Sequence, residues 1–239
     1  MNIALILSGG TGTRLGADIP KQYIEIDGRP VISYCIEQLA KHEGIDALQI
    51  VADGQWHGTI LKCLEKYGCP ECGGKGAFRG FSEPGENRQL SIINGLEDIS
   101  RYASESDIVM IHDAARPLIS AQMITDSLAA AEGHDGVLPV LSMKDTVYKS
   151  MDGKKISALL DRSQIFAGQA PETFLLGRYL EANRKLLPER IRAVNGSTEP
   201  AVMDGMDIVM ISGDERNFKI TTREDMERFR EIVSQDRQI

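Results

Sequence analysis

An apolar run, Leu5-Ile6-Leu7, enters a turn spelled Ser8-Gly9-Gly10-Thr11-Gly12-Thr13-Arg14-Leu15-Gly16, and Lys21 follows Pro20 shortly afterwards. Glycines at 9, 10, 12 and 16 lack the Cβ atoms that would keep a backbone from curling around a polyphosphate, so successive N–H groups can face its oxygens. Arg14 and Lys21 add full positive charges. The chemistry this suggests is phosphate binding. Spacing excludes two familiar phosphate motifs. A dinucleotide fingerprint counted from Gly10 and Gly12 needs a third glycine where Leu15 stands. A P-loop needs Gly-Lys followed by Ser or Thr, whereas Lys21 follows a proline. An ordinary strand-to-helix turn also uses glycine, and the paired cations favour the phosphate reading over it.

Other clusters carry related chemistry. His112-Asp113-Ala114-Ala115-Arg116-Pro117 follows an apolar run at 108–111. A carboxylate facing a triphosphate is repulsive, and Mg²⁺ between them resolves the conflict, which makes Asp113 a candidate metal ligand. A purely structural Asp113–Arg116 pair is the alternative. The segment 84–96 opens a helix with Asn87 as a cap and Ser91 one turn in. Small residues at a helix start can reach a nucleobase edge, and Gly85 lets a base lie close to the backbone; the same pattern fits a capped core helix. Lys144-Asp145-Thr146, Leu160-Asp161-Arg162 and Asn217-Phe218-Lys219-Ile220-Thr221 each put a cation or hydroxyl at the edge of a strand-like segment. Singly these read as solvated side chains. Their number, in a chain of net charge −8, suggests convergence on an anionic substrate.

Alternating elements position these residues. Buried-strand patterns at 2–7, 47–52, 76–81 and 108–111 alternate with helical patterns at 30–42, 56–67 and 87–100, which predicts an α/β fold with a largely parallel sheet. Ligands of such sheets bind at the carboxyl ends of the strands, where the polar clusters fall. Asp152-Gly153 between two strand-like runs predicts a projecting hairpin, an arm that covers the site or clasps a second subunit. Residues 222–233 suit a closing amphipathic helix. One domain over 1–239 is expected from the length of 239 residues, with the arm at about 144–175. The acidic balance argues against nucleic acid or an anionic membrane as partner. The start of the chain lacks a signal or span pattern, so a cytoplasmic protein is expected. Cys69-Pro70-Glu71-Cys72, with Cys63 and His57 upstream, permits a zinc knuckle; reduced thiols near a surface loop are favoured, because no second such pair completes it.

Together the motifs resemble the 2-C-methyl-D-erythritol 4-phosphate cytidylyltransferase family and its relatives, the ribitol-5-phosphate cytidylyltransferases. The resemblance runs nearly full length through Gly9 to Arg14 with Pro20-Lys21-Gln22, the Arg88/Ser91/Asn94-Gly95-Leu96 helix, the 112–117 cluster, Asp145-Thr146 and the 217–221 segment. It implies a Rossmann-like three-layer sandwich of nucleotidyltransferase type, with a mostly parallel mixed sheet and a β-hairpin arm. It implies CTP and a sugar-alcohol phosphate as substrates, 2-C-methyl-D-erythritol 4-phosphate before ribitol 5-phosphate, with pyrophosphate released, Mg²⁺ required, and a homodimer formed through the arm.

By the same resemblance Arg14, Lys21, Arg162 and Lys219 are catalytic. Ser8, Gly9, Gly10, Thr11, Gly12, Thr13, Gly85, Asn87, Arg88, Ser91, Asp113 and Ala114 hold the nucleotide. Asp113, Arg116, Asp145, Thr146, Arg162, Thr198 and Lys219 hold the acceptor, and Asp113 the metal. Arg162 would act on the neighbouring subunit's site. Three places depart from the family pattern. Ala170-Pro171-Glu172 stands where Thr-Pro-Gln is usual, Thr198-Glu199-Pro200 where Thr-Asp and small residues are usual, and Pro84-Gly85 where a double glycine is usual. The rival classes are a nucleotide-binding protein without catalysis and, more distantly, a nicotinamide oxidoreductase.

Overall fold

The computed structural model describes residues 1–10, 19–68 and 76–236. Thr11, Gly12, Thr13 and Arg14, together with Cys69 and Cys72, lie outside the described residues. The first half of the chain runs β1 (Asn2–Leu7), β2 (Glu25–Ile26), β3 (Arg29–Pro30), α1 (Val31–Lys41), β4 (Ala47–Val51), α2 (His57–Tyr67), β5 (Ala77–Ser82), α3 (Arg88–Ile99) and β6 (Ile108–Asp113). The second half runs α4 (Ala121–Ala130), β7 (Gly136–Ser142), β8 (Val147–Lys149), β9 (Ala158–Leu160), β10 (Phe166–Gly168), β11 (Glu172–Leu175), α5 (Leu176–Arg184), α6 (Glu199–Met203), β12 (Ile208–Ser212) and α7 (Arg223–Asp236).

Eight strands form the main sheet in the order β5-β4-β1-β6-β11-β7-β12, with β10 beside the far end of β7. Val140 of β7 faces Gly168 on one side and Ser212 on the other, so β10 and β12 flank it. Strands β1, β4, β5 and β6 pair in parallel. Strand β11 runs antiparallel to both β6 and β7, so β7 and its parallel neighbour β12 point the same way as β6. Six strands therefore share one direction, and β10 and β11 reverse it.

Successive side chains of a strand point to opposite faces, which yields two cores. Leu48 and Ile50 of β4 pack with Ile32, Ile36 and Leu39 of α1, at the helical spacing that puts them on one face. Ala47 and Val51 pack on the opposite side with Ile92 and Leu96 of α3 and Tyr179 of α5. The result is the expected three-layer arrangement. Helix α7 seats Met226, Phe229 and Val233 against Ile26, Val31 and Ile220, which ties the chain's last helix to the short β2–β3 pair.

Two expectations change in detail. Strand β6 extends through His112 and Asp113, with Leu7 opposite Asp113, although both added residues are polar. The arm is shorter than 144–175: only β8 and β9 leave the sheet, and the chain from Phe166 onwards rejoins it. Its tip is a longer loop than a two-residue turn. The Asp152 carboxylate accepts hydrogen bonds from the N–H groups of Lys154 (2.8 Å) and Lys155 (2.9 Å), and Gly153 takes φ +70°. Tyr148, Met151, Ile156 and Leu159 of the arm are exposed. Among the described residues no helix is long and apolar enough to cross a membrane.

Phe174 is fully buried and stacks on Tyr179 with ring centroids 4.0 Å apart. Phe174→Ala should lower unfolding free energy by about 3–5 kcal/mol, read from urea denaturation.

Candidate functional site

At the carboxyl ends of β1 and β6 lies a cleft of about 440 Å³ lined by Gly9, Gly10, Lys21, Arg88, Ser91, Asp113 and Lys219 among others. Its first wall is the start of the glycine turn. Gln22 is almost wholly buried, and its side-chain amide donates to the carbonyls of Ser8 and Gly10, each at 2.8 Å. These two bonds hold the backbone at Ser8 and Gly10, where it borders the cleft. The Ser8 hydroxyl lies 2.7 Å from the Tyr23 hydroxyl, so Ser8 braces the turn through its side chain. A Cβ at Gly9 would stand 2.7 Å from Cβ of Pro84, which requires glycine there.

The second wall is the start of α3. Asn87 caps the helix, its side chain accepting from the Leu90 N–H at 2.9 Å. The Ser91 hydroxyl accepts from the Gly85 N–H and donates to the Asn87 carbonyl, both at 2.9 Å. Its one proton is committed, and a second lone pair is left to accept from a ligand N–H. A Cβ on Gly85 would come within 2.4 Å of Leu90, so the turn closes only with glycine.

Asp113 ends β6 at the centre of the cleft. Arg88 holds its Oδ1 through Nε and Nη2, both at 3.1 Å, and Lys219 holds its Oδ2 through Nζ at 2.9 Å. Arg116 stands 3.8 Å from Oδ2 and donates to the Asn217 carbonyl at 2.6 Å. Burial pushes the Asp113 carboxyl up, but the Arg88 and Lys219 cations outweigh it and hold the group well below the usual carboxylate range. Arg88 also donates to the Ser197 hydroxyl and comes within 3.8 Å of Glu172. Burial pushes the Glu172 carboxyl up from its ordinary value, offset only in part by Arg88.

Both Asp113 oxygens thus face cations, and a divalent ion there would have to displace them. Among the described residues no group of three His, Cys, Asp or Glu side chains could hold a metal ion. The donor set does not fit a protein-held Mg²⁺. Of the residues read as a possible knuckle, the His57 ring stacks on Phe81 at 3.6 Å with Nε2 on the Ala52 carbonyl, and Cys63 is buried with its thiol pushed up to about 11 by burial; Cys69 and Cys72 lie outside the described residues.

The structure gathers Gly9, Gly10, Lys21, Gly85, Asn87, Arg88, Ser91, Asp113 and Lys219. Ala114 is buried beside them with its N–H on the Leu7 carbonyl. Thr198 follows Ser197, the partner of Arg88. Asp145, Thr146 and Arg162 are not brought to this cleft; all three are exposed at the arm, and Arg162 donates to the Lys144 carbonyl at 2.6 Å. Sequence reasoning missed the roles of Ser197 and of the Gln22 amide.

A cleft at the carboxyl ends of a mostly parallel sheet, lined by Gly9, Gly10, three cations and a capped helix start, is where α/β proteins of the nucleotide-binding class hold phosphorylated ligands. The comparisons sharpen this. Residues 2–235 match the 2-C-methyl-D-erythritol 4-phosphate cytidylyltransferase family. The ribitol-5-phosphate cytidylyltransferase of Streptococcus agalactiae serotype III is 30% identical over 97% of this chain and 95% of its own. That of Streptococcus pneumoniae serotype 2 is 30% identical over 99% and 100%. The 4-diphosphocytidyl-2C-methyl-D-erythritol synthase of Anaerococcus prevotii superposes with TM-score 0.81 at 23% identity, over 98% of this chain and 96% of that one, a likeness of fold. The chain belongs to the 2-C-methyl-D-erythritol 4-phosphate cytidylyltransferase family and is a cytidylyltransferase.

His112, beside the central carboxylate, is fully buried. Its Nε2 donates to the Arg116 carbonyl at 2.9 Å, which leaves Nδ1 bare and without a partner. A second proton would find no acceptor, and burial lowers the ring's value from 6.5 to about 4. The unfolded chain therefore takes up this proton first, and stability present above pH 6.5 is lost as pH falls towards 4. At about 1.4 kcal/mol per pH unit the loss between pH 7 and 4.5 is about 2.4 kcal/mol. Urea unfolding at both pH values should show it, and His112→Gln should flatten the slope.

Proposed function

We propose that the protein transfers the cytidylyl group of CTP to the phosphate of a sugar-alcohol phosphate. The observation that carries this reading is the convergence of Lys21, Arg88 and Lys219 on one cleft beside the glycine turn, in a chain of net charge −8 and in this family. An acceptor phosphate oxygen forms a bond to the α-phosphorus of CTP, the bond from that phosphorus to the bridging oxygen breaks, and pyrophosphate leaves with the electron pair. A phosphate dianion needs no general base. Negative charge grows on the non-bridging oxygens in the transition state, so fixed cations nearby lower the barrier. Lys21 and Lys219 have that role in this reading, and the family resemblance assigns Arg14 to it as well. Asp113 orients Arg88 and Lys219, and the Ser91 turn reads the base. Mg²⁺ enters this reading on the nucleotide's own phosphate oxygens, whose charge it offsets.

Two acceptors stand as candidates. The family name supplies 2-C-methyl-D-erythritol 4-phosphate, and the 30% identical relatives supply ribitol 5-phosphate. The exposed apolar residues of the arm support a homodimer in which Asp145, Thr146 and Arg162 serve the neighbouring subunit's cleft.

With CTP, Mg²⁺ and each acceptor, pyrophosphate release should be seen with at least one; release with neither removes the acceptor reading. Lys21→Ala should cut kcat by about a hundredfold or more, and near-normal turnover would remove Lys21 from catalysis. Met151→Asp with Leu159→Asp should yield monomers of low activity in sedimentation and rate measurements, whereas an unchanged dimer would detach the arm from assembly.

A further inference from the structure

Gln169 follows β10 and does not line the cleft. It is buried, and a buried amide is tolerated only when its N–H and C=O groups find partners. Both find them on one residue: Oε1 accepts from the Asp214 N–H and Nε2 donates to the Asp214 carbonyl, each at 3.0 Å. Two facing residues of an antiparallel sheet exchange bonds in the same way. The Gln169 backbone N–H is on the Pro139 carbonyl, and the Gly213 N–H is on the Val140 carbonyl, both at 2.8 Å. Strands β10 and β12 flank β7, so this side chain reaches from one neighbour of β7 to the segment that leaves the other. A Cβ on Gly213 would stand 2.4 Å from Oε1, so glycine makes room for the amide.

Asp214 opens the turn that leads to Lys219. Its carbonyl, already bonded by Gln169, also accepts from the Asn217 N–H at 3.0 Å. The fully buried Asn217 side chain donates to the carbonyl of Ala170, the residue after Gln169, at 2.6 Å. Beyond Lys219, the Ile220 N–H is on the Ala115 carbonyl at 2.8 Å. Lys219, which lines the cleft and holds Asp113, is thus carried between an anchor at 169–170 and another at 115. A reacting or stabilising group moved by about 1 Å can lose about a hundredfold in rate. We propose that Gln169 is a positioning residue for cytidylyl transfer: its amide holds the 214–217 turn so that Lys219 meets the charge that develops on the phosphates. The inference rests on the transfer reading above, which gives Lys219 its role. Because Lys219 works on the transition state, the loss on removing the amide falls on kcat.

The test is kcat with saturating CTP, Mg²⁺ and the acceptor that turns over best, in Q169M, K219A and the double variant. Methionine keeps the length of the side chain and removes both bonds to Asp214. Q169M should lower kcat by about tenfold or more with KM for CTP within about twofold, and in the K219A background the same change should cost less than about twofold. An unchanged kcat in Q169M, or a loss of equal size in both backgrounds, overturns the proposal, because an effect on folding alone does not depend on Lys219. Should Q169M fail to fold, G213A displaces Oε1 from Asp214 without altering Gln169, and it is compared with K219A in the same way. Hydrogen exchange of the Asn217 N–H, a group Gln169 does not touch, reads the turn without turnover. By NMR it should quicken about tenfold in Q169M while that of Leu5 in β1 is unchanged, and equal rates at Asn217 in wild type and variant overturn the hold on the turn. A wild type that turns over neither acceptor would count against the transfer reading, and the exchange comparison would still decide the hold.

Discussion

The ion cluster around Asp113 is the constraint on which the site depends. A carboxylate at the end of a central strand loses its water, and that cost is repaid only when its partners are close and complete. Arg88 arrives from α3, Lys219 from the segment before α7 and Arg116 from the loop after β6. The three parts of the chain are far apart in sequence, and one buried anion fixes where they meet. The same cations that make Asp113 tolerable present the remaining N–H groups and charge to the cleft. Stability of the strand end and readiness to bind an anion are thus one arrangement, and it explains how an acidic chain keeps a basic pocket.

Much of the fold was legible because its signals are local. Apolar runs mark β1 and most of β6, β4 is apolar except for Gln49, and the 3.6-residue spacing of Ile32, Ile36 and Leu39 marks α1. The end of β6 was not legible, since His112 and Asp113 become acceptable in a strand only through the Arg116 carbonyl and cations from elsewhere. Nor does any pattern announce that β10 and β11 run against their neighbours, because strand direction is set by how the chain returns to the sheet, which local periodicity does not encode.

In the site, the residues with motif spelling were readable: Gly9, Gly10, Lys21, Arg88, Ser91, Asp113 and Lys219 do converge. Gln22 was visible as a letter of a motif and not as a brace, since its partners are two backbone carbonyls that leave no trace in side-chain identity. Ser197 was invisible for a similar reason, its role arising from a long-range contact with Arg88. Arg162 was read as serving the neighbouring subunit's site; within its own chain it lies at the arm, bonding the Lys144 carbonyl away from the cleft.

The way the arm joins the sheet has a separate consequence. Ser142, the last residue of β7, pairs with Phe166, the first of β10, so the excursion departs and returns at a single rung of the ladder. Closing a flexible loop costs only about 0.6 kcal/mol more for each doubling of its length. The sheet therefore does not register how long the arm is or what it carries. Insertions and deletions at the arm's tip can accumulate while the sheet, and the cleft it positions, stay as they are.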